Sequence, residues 1–156
     1  MINKNQKFID GFTIIELLVV VAIVAVLSSI IMFSVQQYAN KAKDSNVAGN
    51  LAVLIPAGET YYGINNNSYD GFCDVSLSTV VKNAISQMPV NITNISCYNG
   101  STNQAGLCCR VAEDGQSWAA CAKLFSNTTL AYCVDSRGIK KQISSSLCTN
   151  TFVSCD

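Results

Sequence analysis

The chain contains no histidine. Every Ser-His and Cys-His arrangement for nucleophilic catalysis is therefore excluded. It also lacks any C-x-x-C pair, which removes the usual zinc spacing and the poised dithiol of a redox module. Charge is scarce and balanced, ten basic against ten acidic residues, and no basic patch suggests a nucleic-acid partner. No Gly-rich loop follows a strand-like run to hold a phosphate. The residues thus support neither an enzyme nor a cofactor nor a metal.

What the chain has in excess is an unbroken apolar run. Leu17 to Val35 gives nineteen residues without a charge, enough at about 1.5 Å per residue to cross a bilayer core of about 30 Å as a helix. Glu16 sits at the head of this run. A carboxylate at membrane depth costs several kcal/mol unless it is partnered, so it reads as functional. A short polar leader, Met1 to Asp10, precedes it with Lys4 and Lys7. Those lysines would hold the leader in the cytoplasm and place the C-terminal bulk outside.

The string Gly11-Phe12-Thr13-Ile14-Ile15-Glu16-Leu17-Leu18, with the basic leader before it and the apolar run after it, resembles the N-terminus of type IV pilins and of the related pseudopilins of type II secretion. The resemblance implies cleavage by a prepilin peptidase between Gly11 and Phe12, and N-methylation of the new N-terminal Phe12. Glu16 becomes the fifth residue of the mature chain, with a role in assembly through the Phe12 amine. It further implies a subunit held in the cytoplasmic membrane, then driven by inner-membrane assembly machinery into a homopolymeric surface filament. Two residues depart from the common pattern: Asp10, where a basic residue often precedes the Gly, and Phe33, where many major pilins carry Pro. A secretory signal peptide would be cut after its apolar core, near Ala25 or Ser28, and would leave Gly11 and Glu16 unexplained.

The expected fold is α+β: a long N-terminal helix on a small antiparallel, disulfide-rich head. Its divisions are a leader at 1–11, a transmembrane or filament-core helix at 12–35, an amphipathic continuation at 36–62 and a head at 63–156. In the continuation, Val47, Leu51, Leu54, Ile55 and Tyr62 form one stripe. Pro56 is expected to kink it, and Gly49 and Gly58 to weaken it. Asn65 to Gly71 ends the helix. A second amphipathic helix is expected over 76–88, before Pro89, followed by a polar stretch at 91–106. Five N-x-S/T sequons, at Asn66, Asn91, Asn94, Asn99 and Asn127, read as loop composition.

Four strands are expected at 107–112, 117–124, 130–135 and 139–143. Asp114-Gly115 suits a type I′ hairpin, and Arg137-Gly138 makes a second turn. The run Cys133-Val134-Asp135-Ser136-Arg137-Gly138 resembles a hairpin of some disulfide-bearing bacterial pilins. Register arithmetic then sets Cys108 opposite Cys121, Cys121 opposite Cys133, Val111 opposite Trp118 and Ala120 opposite Val134. Val111, Trp118, Leu124, Tyr132 and Val134 would face the long helix.

Eight cysteines, Cys73, Cys97, Cys108, Cys109, Cys121, Cys133, Cys148 and Cys155, all follow the apolar run. In an exported domain this even number reads as four disulfides. Cys121 is expected to join Cys108 or Cys133, with the tail cysteines taking the remainder. The function expected is a structural filament subunit. The rivals are a pseudopilin of a secretion or DNA-uptake system and a membrane-tethered binding module.

Overall fold

A computed structural model describes residues 11–88, 97, 107–149 and 151–156. The leader with Lys4, Lys7 and Asp10, Pro89, the stretch 91–106 apart from Cys97, and the sequons at Asn91, Asn94 and Asn99 lie outside the described residues, as does the Phe33 side chain. The chain forms two compact units that meet between Tyr38 and Ala39. Helix α1 (Ile14–Ile64) belongs to both.

In the first unit α1 carries Leu, Ile, Val and Ala on every side. From Gly11 to Met32 every described side chain is exposed. Among the described residues it is the one helix long and apolar enough to cross a membrane.

In the second unit one stripe of α1 turns inward. Val47, Leu51 and Leu54 are fully buried, and Ile55, Tyr61 and Tyr62 pack beside them. α1 runs uninterrupted through Pro56. A mid-helix Pro costs about 3 kcal/mol, and burial on both sides of it offsets that. Thr60 Oγ1 donates to the Pro56 carbonyl at 2.9 Å. The helix ends where Asn66 and Asn67 adopt left-handed φ of 53° and 57°, a conformation Asn tolerates better than most residues.

Helix α2 (Thr79–Gln87) is shorter than expected. Residues 75–77 form a turn instead, and Ser78 caps the helix. Asp74 Oδ1 accepts from the Ser76 amide and hydroxyl at 2.8 and 2.6 Å, and Ser78 Oγ accepts from the Val81 amide. Short polar side chains compete in this way with the helical ladder, so the start moves to the Ser78 cap.

Strands β1 (Leu107–Val111), β2 (Trp118–Lys123), β3 (Leu130–Asp135) and β4 (Lys140–Ser144) form an antiparallel sheet in chain order. Cys108 pairs with Cys121, Val111 with Trp118, Ala120 with Val134 and Cys121 with Cys133, as the register arithmetic sets them. The first hairpin is not type I′, because Gly115 alone takes positive φ, at 66°. Asp114 Oδ1 accepts from the Gln116 amide at 3.0 Å, and Ala112 O from the Gly115 amide at 2.9 Å. The strands stop at the 111–118 pair, leaving a six-residue loop between.

The sheet's two faces make two cores. On one, Leu107, Cys109, Trp118, Ala120 and Val134 pack with α1, α2, Tyr69 and Phe72. On the other, Cys108, Cys121, Cys133, Ala131 and Ile143 lie under Cys148, Phe152 and Cys155 of the tail. Asp44 fixes the β2–β3 loop to α1, accepting from the Phe125 amide, the Ser126 amide and the Ser126 hydroxyl.

Gly58 has a use that helix propensity hides. A Cβ there would lie 2.6 Å from Trp118 Nε1, so only glycine admits the fully buried indole. Gly58→Ala gains about 1 kcal/mol of helix propensity but overpacks the core, at about 1–3 kcal/mol. The expected outcome is a net loss of stability, read as a lower denaturation midpoint of the exported domain. A higher midpoint would show that Trp118 moves aside without cost.

Candidate functional site

The apolar segment begins with a helix start built from two residues. Thr13 is the last residue before α1, and Glu16 stands three residues on, in the first turn. Glu16 Oε2 accepts from the Thr13 amide at 2.9 Å and the Thr13 hydroxyl at 2.8 Å. The Glu16 amide donates back to Thr13 Oγ1 at 3.3 Å. This reciprocal pair is a capping box, which satisfies backbone donors that a helix N-terminus leaves unpaired. The Thr-x-x-Glu spacing was legible in the sequence, yet reading Glu16 only as an intramembrane charge overlooks it.

Phe12 is 76% exposed, and a Cβ on Gly11 would meet nothing within 4 Å. A larger residue at Gly11 therefore meets no steric obstacle among the described residues. Its effect would fall on whatever binds the backbone there.

All eight cysteines are paired: Cys73–Cys109, Cys97–Cys108, Cys121–Cys148 and Cys133–Cys155. Cys121 thus bonds neither Cys108 nor Cys133, although its strand register is as expected. The reason lies in the ladder and the tail. Ala112 N donates to Ser117 O, and Leu124 N to Leu130 O. By alternation, Cys108 and Cys121 occupy a hydrogen-bonded pair, where facing side chains are farther apart, and Cys121 and Cys133 a non-hydrogen-bonded pair. Cys148, Phe152 and Cys155 of the tail pack on this face, and the two cysteines give Cys121 and Cys133 each its own partner, with Cα separations of 6.0 and 5.8 Å. Cys108, Cys121 and Cys148 come within 4.8 Å of one another at sulfur, but all three are committed to disulfides.

One carboxylate organises the tail. Asp135, at the end of β3, is fully buried. Its Oδ1 accepts from the amides of Arg137 and Ile139 at 3.0 and 3.3 Å. Its Oδ2 accepts from Arg137 Nη2 at 2.7 Å and from the Cys155 amide at 3.2 Å. Arg137 Nη2 also donates to Asp156 at 3.0 Å. The hydrogen bond from Arg137 holds the Asp156 carboxyl below the usual carboxylate range. Because its folded pKa is depressed, that contact is present above the ordinary carboxylate pKa and fades as pH falls through the folded value. Only the turn residues around Gly138 hinted at this cluster.

Residues 9–32 match the family model described as the prokaryotic N-terminal methylation motif. Over 100 residues the chain is 31% identical to the type IV wide pilus major component PilA4 of Thermus thermophilus, across 64% of this chain and 70% of that protein. No solved structure matches.

Proposed function

This chain belongs to the type IV pilin family, and from that premise we propose that it is a structural subunit of a pilus-like surface filament. The observation that carries the reading is the α1 surface from Leu17 to Met32, free of charge on all sides and exposed throughout among the described residues. Such a surface needs lipid before assembly and other helices after it. Exchanging one for the other alters apolar exposure little, so the same segment serves as membrane anchor and filament core.

Family membership makes the chain a self-polymerising structural protein that a prepilin peptidase processes. The finer steps are our reading. The peptidase cuts between Gly11 and Phe12, the new Phe12 amine is methylated, and inner-membrane assembly machinery moves the subunit from the cytoplasmic membrane to the filament. The disulfide framework suits exposure outside the cell. The relative's description as a major component of a wide pilus favours a pilus over a secretion pseudopilus.

The test is to shear surface filaments from cells producing the chain and identify their principal protein and its N-terminus by mass spectrometry. Filaments built from a chain beginning at methylated Phe12 are expected. Unaltered filaments in cells lacking the chain, with protein secretion lost, would place it among the pseudopilins instead. Gly11→Val is expected to accumulate uncut precursor whose eight cysteines remain paired, since the change meets nothing among the described residues. A native N-terminus between residues 26 and 30 would instead establish a secretory signal peptide.

A further inference from the structure

A filament needs two different, complementary patches on one chain, because a head-to-tail contact that does not close propagates as a helical polymer. The unit Ala39–Asp156 offers two. At the C-terminal end of α1 an open apolar cavity of about 350 Å3 is lined by residues that include Ala57, Tyr61, Ile64, Phe72, Leu77 and Val80. Ile64 and Leu77 are 80% and 66% exposed.

The surroundings of this groove are acidic. Glu59, Asp70, Asp74, Glu113 and Asp114 are all exposed. They share one end of the unit because the loop after α1 sits on the first hairpin. The Tyr69 amide donates to Gly115 O at 2.8 Å, and Gln116 Nε2 to Asn67 O at 3.2 Å. Tyr69 Oη donates to Glu59 at 3.0 Å, and the Ser78 amide, at the groove wall, to Asp74 O. Three exposed lysines share this end: Lys82 on α2, two residues beyond the groove-lining Val80, and Lys140 and Lys141 at the start of β4, on the sheet edge away from β1. Arg137 is held by Asp135 and Asp156, so beside the groove itself the five carboxylates outnumber the cations. Arg110 shares the opposite sheet face with Cys108 by strand alternation.

The other end is basic. From Glu59 back to Asp44 is fifteen residues (59 − 44), about 22 Å along the helix. There Lys41 and Lys43 are exposed, with Lys43 Nζ 5.2 Å from the Phe125 ring centre. Leu147 is half exposed at the same end, because the Ser145 amide donates to Thr129 O of the β2–β3 loop at 2.9 Å.

We propose that the acidic groove at the C-terminal end of α1 docks the basic end of a second copy, where Lys41, Lys43 and Leu147 lie. The proposal rests on the filament reading and adds to it a head-to-head contact outside the apolar helix segment. Charge complementarity selects the second copy's orientation and speeds its encounter. Leu147 supplies an apolar side chain for the groove. The contact weakens with salt, since exposed charges are screened within about 8–10 Å.

Two measurements test it in the full-length chain. First, Lys41→Glu with Lys43→Glu, and separately Asp70→Lys with Glu113→Lys, are each expected to lower sheared-filament yield about tenfold, while combining all four recovers most of it. Thiol titration finding no free cysteine establishes that each variant is folded. Second, Ile64 is replaced by the photoreactive residue benzoylphenylalanine in filaments. The expected cross-link joins it to a second copy within residues 41–43, 124–129 or 145–147. Full yield from both charge variants, absence of recovery in the combination, or a cross-link to another protein or another segment would each overturn the docking. A wild-type chain that forms no filaments would defeat the filament reading itself, a separate outcome.

Discussion

Glu16→Gln is expected to leave a cleaved, membrane-resident chain that yields few or no filaments. The choice of glutamine follows from the capping box. Gln at the third helical position accepts from Thr13 as Glu does, so the start of α1 survives. What disappears is the charge. Cleavage before Phe12 would create a positive amine at the edge of the apolar segment. Two unit charges about 4 Å apart attract by about 4 kcal/mol at an effective dielectric constant of 20, a factor approaching a thousand in an equilibrium. Both hydrogen bonds that hold the carboxylate fall on Oε2, which leaves Oε1 for an incoming amine. If that amine belongs to the neighbouring subunit, the pair fixes the height at which the two helices meet. Thr13→Ala separates the two roles of Glu16. It removes the cap, at about 1 kcal/mol, keeps the charge, and is expected to assemble. Filament yield at the wild-type level from Glu16→Gln and Glu16→Ala, with cleavage intact, would end the pairing argument.

The parts of this molecule legible in its sequence are those set by local chemistry. Alternation in β1 to β4, with Asp114-Gly115 and Arg137-Gly138 between strands, fixes the register, because slipping by one residue would turn Trp118 and Val134 outward. The stripe Val47, Leu51, Leu54 is equally local. The parts that were not legible depend on where distant segments land. Cys121 faces two cysteines across its strand neighbours, and only the landing of Cys148, Phe152 and Cys155 on that face decides that Cys148 takes it. Gly58 looks like a helix defect until Trp118, sixty residues on (118 − 58), is seen to need the space. Asp44 reads as a solvent-facing residue, yet it holds the β2–β3 loop to α1. Turn types depend on competition between side chains, which is why the Asp114 hydrogen bond to Gln116 overrides the dipeptide's preference. Thr13 and Glu16 fall in a third class: their pairing was written in the sequence but masked by a stronger functional interpretation of the same glutamate.

Cys121→Ser together with Cys148→Ser is expected to cut accumulation of the processed chain severely. The two cysteines stand 27 residues apart. The chain-entropy relation for a loop of that length gives about 3.6 kcal/mol, within the 2–5 kcal/mol typical of small exported domains. Against a total stability of about 5–15 kcal/mol, that leaves a substantial unfolded fraction for proteases. The shorter Cys97–Cys108 loop, of separation 11, gives about 2.8 kcal/mol by the same relation, so its paired serine variant should accumulate better. The single change Cys121→Ser is worse in kind. It leaves the Cys148 thiol within 4.8 Å of the Cys108 sulfur. The Cys148 thiolate attacks Cys108, a Cys108–Cys148 bond forms, the Cys97–Cys108 bond breaks, and Cys97 leaves as the thiolate; no oxidant is consumed. Peptide mapping of the single variant should therefore find Cys108 joined to Cys148 with Cys97 free, whereas the double variant keeps Cys97–Cys108. Wild-type accumulation of the double variant would show that this bridge contributes little to the folded head, and an intact Cys97–Cys108 bond in the single variant would show that burial blocks the exchange.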